Sequence, residues 1–526
     1  MNSIIKMAIK KIFFVLFFIS TTALLGQRNK TNIISLQDQF ELKSRKQIPI
    51  KIYQTSDFIE KFHLHKDFIT FQIRGKRNNG NKKDLGFVKQ YHQIKDSTLW
   101  SIKISYKYEE ILQEGSLIIY YKAKSNKVLN HLNGEKIWWV KHNFISIDSL
   151  NMIGFGYKSE EFPSNFNFME GVDLTTGRVL WQREINRQHG INNIQQVNDS
   201  NILIASAGLH QVNIFNGEGW DYNAIFGGGS HDYSYGTVIV SAALFGIVGG
   251  IIASPIMILN KSINSENRSN LVQDSSSIFY TSRDYLAKLQ KDGKTIWQYT
   301  LSRKDLQQSE IILNKRQLIF IQKGYIINAN KKKVSRGTPY LMVFDKASGE
   351  KLFKSEFDAS RSEFISDYRI EGNKLTILLP FKIISFDLDK LNVISKVEIQ
   401  QTYNGGLNKL LTDGSYIKFD STLIEINEKN DSNFYITNES DHIWKVNKKL
   451  QKLEKFTEVI LYTDYLRSNN FSLIRSQKDA FLLDSTNQII AKFPYFEQAI
   501  LNKGKLFISI ENQLLELKLT DLLTTE

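Results

Sequence analysis

The sequence predicts an all-β fold, a single β-propeller of about eight four-stranded blades, with seven or nine left open. Three observations predict it: a short hairpin motif that recurs along most of the chain, a spacing near forty residues between copies, and the fall of six of the seven tryptophans on or beside that spacing.

The clearest copy is Gly171 to Gln182, GVDLTTGRVLWQ. Thr-Thr-Gly supplies a turn in which Gly177 takes a positive φ, and the flanking β-branched and aromatic residues favour extended backbone, so a hairpin closed by Trp181 is expected. The aromatic follows the turn glycine by four residues and Asp173 by eight. Gly134 precedes Trp138 in the same way, Gly293 precedes Trp297, and Gly349 precedes Phe353 with Asp345 eight before it; Asp96 before Trp100 is a degenerate copy. Weaker copies end at Trp220, Ser395, Lys455 and Lys492. The nine closing positions are separated by 38, 43, 39, 77, 56, 42, 60 and 37 residues. Trp139 adjoins one of them, and Trp444 lies in the strand before the copy at Val446. The closing tryptophans are read as blade-to-blade packing, and the lone Asp of each copy as a turn cap.

In chain order, residues 1–26 read as an export signal: Lys6, Lys10 and Lys11 precede the apolar run Ile12 to Leu25 and then Gly26-Gln27, an uncleaved anchor being the alternative. Residues 30–526 are the propeller. Ile33 to Tyr53 alternates loosely and supplies an opening strand. The chain's last strands, KLFISI and NQLLELKL, have no closing tryptophan after them, so the N-terminal segment is expected to complete the last blade and cover its edge.

The 77-residue gap holds an insertion at 227–262, in which Tyr235 to Leu259 carries no charge. Its length matches a membrane span. Ala242, Gly246, Gly250 and Ser254 form a small-residue stripe every four residues. A propeller cannot close across a bilayer, so the expectation is a helical hairpin bent near Gly249-Gly250, or a helix in the interface, with burial against the propeller as the alternative.

Composition narrows the function classes. Aromatics at 12% and only six prolines fit a packed β core, and 526 residues fit one closed repeat array. With no cysteine in the chain, disulfides, a lipid-modified cysteine, thiolate metal sites, covalent haem and a cysteine nucleophile are excluded. The net charge of +14 is scattered, the densest cluster being Lys331 to Lys333 with Arg336 in an expected loop. No nucleic-acid partner is expected of an exported chain. His63 and His65 share a strand face near Asp67 but lack a third histidine, so a solvent-facing strand is preferred to a metal site. No nucleophile elbow, phosphate loop or paired-carboxylate motif occurs.

The pattern of Asp, turn, glycine and tryptophan resembles the repeat of the PQQ-like (quinoprotein dehydrogenase-like) propellers, over roughly Leu64 to Leu523. That family includes enzymes and non-catalytic outer-membrane assembly lipoproteins. The resemblance implies fold more than activity. The enzymes' disulfide floor, calcium site and haem have no counterpart residues here, so no cofactor and no quinoprotein activity are expected. The leading expectation is a non-catalytic scaffold of the periplasm or cell envelope, with an envelope or membrane protein as partner and membrane contact through residues 235–259. A quinone- or sugar-binding enzyme and a ligand-sensing ectodomain are the alternatives.

Overall fold

The computed structural model describes residues 50–519, apart from 159–167, 186–190, 224–255, 259–269, 303–306, 328–332, 399–406, 427–432, 439–442, 448–452 and shorter gaps. The expected export signal and the residues Ala242, Gly246, Gly249, Gly250 and Ser254 lie outside the described residues.

Every described element is a strand, and the strands form ten four-stranded antiparallel meanders, the blades of a β-propeller. Blade 1 spans 58–105, blade 2 109–140, blade 3 142–184, blade 4 193–222, blade 5 270–300, blade 6 309–355, blade 7 367–398, blade 8 407–456 and blade 9 460–494. Blade 10 takes three strands from 498–518 and its fourth from the N-terminal strand Ile50–Gln54, which pairs with Gln513–Lys518. The blades fall into two compact units: Tyr108–Leu461 carries blades 2 to 8, and the residues up to Lys107 together with those from Tyr462 on carry blades 1, 9 and 10.

The second strands are short runs of β-branched and aliphatic residues, such as Asn201–Ser206, Gln317–Gln322 and Lys374–Leu379, buried along nearly their whole length. Strands of this kind read as continuous apolar runs because both sheet faces are covered. The clusters that cover them join neighbouring blades: Phe155, Met169 and Trp181 of blade 3 pack on Ile202, Ile204 and Val212 of blade 4. First strands of successive blades lie side by side, Asn193–Gln196 by Asn270–Gln273 and Asn270–Gln273 by Ser309–Asn314, which makes the first strand of a blade its inner edge and the fourth its outer edge.

Two expectations are corrected. There are ten blades, not about eight. The nine closing positions each end a blade and the tenth blade is closed by Ile50–Gln54, so no closing position was left for it in the spacing count. The long gaps before 353 and 455 hold extra hairpins outside those blades' own sheets, Tyr325–Ile327 with Lys333–Ser335 between the second and third strands of blade 6 in sequence and Ser415–Phe419 with Thr422–Glu425 between the first and second strands of blade 8. Lys333, expected in a loop, lies in the first of these hairpins.

The helical insertion is also overturned where the structure describes it. Ile256–Ile258 is a strand, paired antiparallel with the end of His142–Asp148, Ser146 opposite Ile258 and Asp148 opposite Ile256. Two isoleucines in three residues favour extended backbone, and the inner edge of blade 3 offers the unpaired ladder that such a segment completes. Among the described residues no helix is long and apolar enough to cross a membrane.

Candidate functional site

The repeated residues meet across blades, not within them. Trp138 of blade 2 donates its indole N–H to the Leu174 carbonyl of blade 3 (2.9 Å), Trp181 of blade 3 to Ile214 of blade 4 (2.7 Å), Trp220 of blade 4 to Lys291 of blade 5 (3.1 Å), and Trp297 of blade 5 to Lys346 of blade 6 (3.3 Å). Each ring lies flat on the next blade's turn glycine: a Cβ on Gly177 would meet Trp138, one on Gly217 would meet Trp181, one on Gly293 would meet Trp220, and one on Gly349 would meet Trp297, all within 3 Å. Phe353, which has no N–H to donate, instead packs on Phe386 of blade 7 at 5.1 Å. Trp100 sits opposite Gln90 in blade 1, and Gly134 has a positive φ in the blade 2 turn. Trp444 is buried between blades 7 and 8 with Leu378, Ile383 and Leu410.

The aspartates hold the turns. Asp173 Oδ1 accepts from the Thr175 and Thr176 amides (2.7 and 3.3 Å) and Asp345 Oδ1 from Ala347 and Ser348 (2.9 and 2.7 Å), which stabilises the turn that presents the glycine.

A feature the sequence reading missed lies at or near seven of the nine closing positions. In seven blades the ladder between the third and fourth strands carries a β-bulge, and the residue it leaves out of register is Leu99, Ile137, Leu180, Ile296, Leu352, Ile394 or Ile490. All seven are aliphatic. Leu180 and Ile490 pack partly against the core, whereas Leu99, Ile137, Ile296, Leu352 and Ile394 are 37 to 53% exposed. The signal was present in six of these copies, where Leu or Ile stands immediately before the closing residue, but an unbroken ladder gives no reason to separate that residue from its neighbours.

Charged side chains meet within and between blades of the larger unit. His142 and Glu170 of blade 3 approach to 3.2 Å. Between blades 3 and 4, Arg183 Nη2 and His210 Nδ1 both reach Asp221 Oδ1, at 2.7 and 2.6 Å, while Arg183 Nη1 donates to the carbonyls of Gln211 and Gly217 (2.7 and 3.1 Å). Burial alone would raise the Asp221 carboxyl, but the hydrogen bonds from His210 and Arg183 outweigh it and hold the group below the ordinary carboxylate range. A depressed native pKa contributes stability that is fully present above the unfolded value, about 4, and is lost as the pH falls through the native one. Asp221→Asn is therefore expected to destabilise by roughly 1 to 2 kcal/mol at pH 7, with the difference from wild type shrinking as the pH is lowered below about 4. Melts across that range test this; a difference that does not change with pH would show that the carboxylate is not ionised in the folded protein.

A second cluster spans blades 6 to 8. Lys323 pairs with Glu310 and lies 5.6 Å over the Tyr368 ring, and Asp367 accepts the Leu410 amide at 2.9 Å. Burial pushes Asp367 upward. These groups satisfy one another across blades, which suits them to tying inner strands together. His63 is half-buried, not solvent-facing: its Nε2 lies 3.1 Å from Gln72 Nε2, and desolvation, aided by Lys61, lowers its pKa to about 4. Among the described residues no three His, Asp or Glu side chains converge to hold a metal ion.

No family model matches the chain, and no curated protein matches it. Among solved structures it is similar to BamB from Moraxella catarrhalis (13% identity, 79% of this chain and 100% of that one, TM-score 0.33). It is also similar to a eukaryotic initiation factor (11%, 85% and 98%, 0.35) and to the dihydro-heme d1 dehydrogenase NirN in complex with DHE (9%, 80% and 77%, 0.30). Likenesses of this strength carry no function to this chain, and the fold assignment rests on the sheets themselves.

Proposed function

We propose that this chain is an exported β-propeller of the cell envelope that acts as a non-catalytic scaffold for protein partners. The observation that carries the reading is the row of aliphatic bulge residues: Ile137, Ile296, Leu352 and Ile394 leave an apolar side chain exposed on the outer strands of four blades in one unit, where recognition by a protein surface would bury it. The repeated Trp, Gly and Asp residues described above are engaged in blade docking and turn capping, so binding falls to these outer positions and to loops. The basic residues and apolar run at the start of the chain support export, and the uncharged run 235–259 supports contact with a membrane or a membrane protein.

Cell fractionation, together with photo-crosslinking from positions 137 and 296 in intact cells, tests the proposal. The expected result is recovery in the envelope fraction, with crosslinks from these positions and none from Asp292, an exposed turn residue of blade 5. Recovery in the cytoplasm, or turnover of an alcohol or sugar when quinone and calcium are supplied, would overturn it.

A further inference from the structure

We propose that the turn ends of blades 2, 3 and 4 form an apolar surface that seats on a lipid bilayer, an inference that deepens the envelope reading above and rests on it. Leu132, Leu150 and Phe215 are 52, 71 and 47% exposed. Each is the third residue of a turn whose first residue, Asn130, Asp148 or Asn213, accepts its amide through Oδ1 at 2.8 to 3.0 Å. That place is polar or small in other described turns of this kind: Thr175, Ser200, Ser276, Lys294, Ala347, Asp389 and Thr486. Large apolar residues at this place thus occur in three consecutive blades.

The three turns lie at one end of those blades. Trp138 ties blade 2 to Leu174 in the blade 3 turn, Trp181 ties blade 3 to Ile214 next to Phe215, and the Leu174 amide donates to the Met152 carbonyl (2.8 Å), joining the two turns of blade 3. The added strand Ile256–Ile258 reaches the same place, since Ile256 pairs with Asp148, the residue whose carboxylate caps the Leu150 turn. These three residues are the described part of the uncharged run 235–259.

The neighbouring side chains favour lipid as the occupant. Asn133, Asn151 and Asn216 offer uncharged hydrogen-bonding groups of the kind that suit an interfacial region. Glu135 and Glu218 on the same turns, bonded to Asn133 and Asn216, oppose attraction to anionic headgroups. Seating is accordingly driven by apolar burial and is insensitive to salt.

The full-length chain has no cysteine, so Leu150→Cys carries a single environment-sensitive fluorophore, and Ile394→Cys on an outer strand is the control. With mixed phosphatidylethanolamine and phosphatidylglycerol vesicles, emission at position 150 is expected to rise several-fold, shift to the blue and be quenched by spin-labelled lipid, in low and high salt alike. Position 394 should not respond. Adding Leu132→Thr and Phe215→Thr, which install the residue that the Asp173 turn already carries, should weaken the vesicle titration at position 150 by about tenfold or more with the melting temperature retained. An unresponsive position 150, a titration unchanged by the two threonines, or a signal abolished by salt would overturn the proposal. If position 150 ignores vesicles but crosslinks to a protein in cells, the surface is a protein interface and the lipid assignment falls while the scaffold reading stands. Recovery of the chain in the cytoplasm would instead remove the reading on which this proposal rests.

Discussion

Replacing Trp181 with alanine is expected to lower stability by roughly 3 to 5 kcal/mol, the range for truncating a buried aromatic. The ring is 6% exposed and stands in a slot with backbone on both sides: a Cβ on Gly171 of its own blade would lie 2.2 Å from Nε1, and one on Gly217 of the next blade 2.8 Å from the ring. Backbone walls relax little, so the space left by truncation stays open. The Ile214 carbonyl, which accepts from Nε1 at 2.7 Å, would also lose its indole donor. The denaturant midpoint should fall with the slope unchanged. A loss below about 1 kcal/mol would mean that the indole does not bridge blades 3 and 4.

Gly217→Ala is the second large effect, at roughly 2 to 4 kcal/mol, because two costs add. The residue has φ +75°, a left-handed conformation in which alanine is strained by about 1 to 2 kcal/mol. The new methyl also runs into the Trp181 ring. In a Trp181→Ala background the second cost vanishes and the first remains. The double mutant should therefore be less destabilised than the sum of the single mutants by about 1 kcal/mol or more. Strict additivity would separate the glycine from the tryptophan and leave the turn conformation as its only role.

The motif was legible because its parts are chemically distinctive: a capping Asp, a glycine able to take positive φ, and an indole at fixed spacing. What spacing could not tell is that Trp138 docks on Gly177 rather than on Gly134, since every copy has the same internal interval whichever pairing holds. The blade count came out low where copies lost their chemistry. Ser395, Lys455 and Lys492 close blades without a ring, and the hairpins at 325–335 and 415–425 lengthen two repeats enough to blur the period. The apolar insertion was read from length and lack of charge, which a membrane helix and a buried strand share. Ile256-Met257-Ile258 resolves differently because blade 3 has an unpaired edge within reach, a tertiary fact with no local signal. His63 is a smaller instance, its surroundings being set by Gln72 on the adjacent strand, which alternation alone does not specify.

The fourth strand of blade 10 has a consequence for the order in which the molecule can form. Tyr53 Oη reaches Glu516 Oε2 across 463 residues of sequence, and Ile50–Gln54 pairs with the last strand described. A chain made from its N-terminus presents this apolar segment hundreds of residues before its partner exists. Blades 2 to 8 are local in sequence and can assemble as they emerge, but blade 10 must wait for a loop closure spanning nearly the whole chain, the kind of contact that slows folding. Throughout that interval Ile50–Gln54 is an unpaired strand open to mispairing with any exposed edge. By contact order the joining of these two segments is the step expected to be slowest, and until it occurs Ile50–Gln54 has to be kept out of wrong pairings.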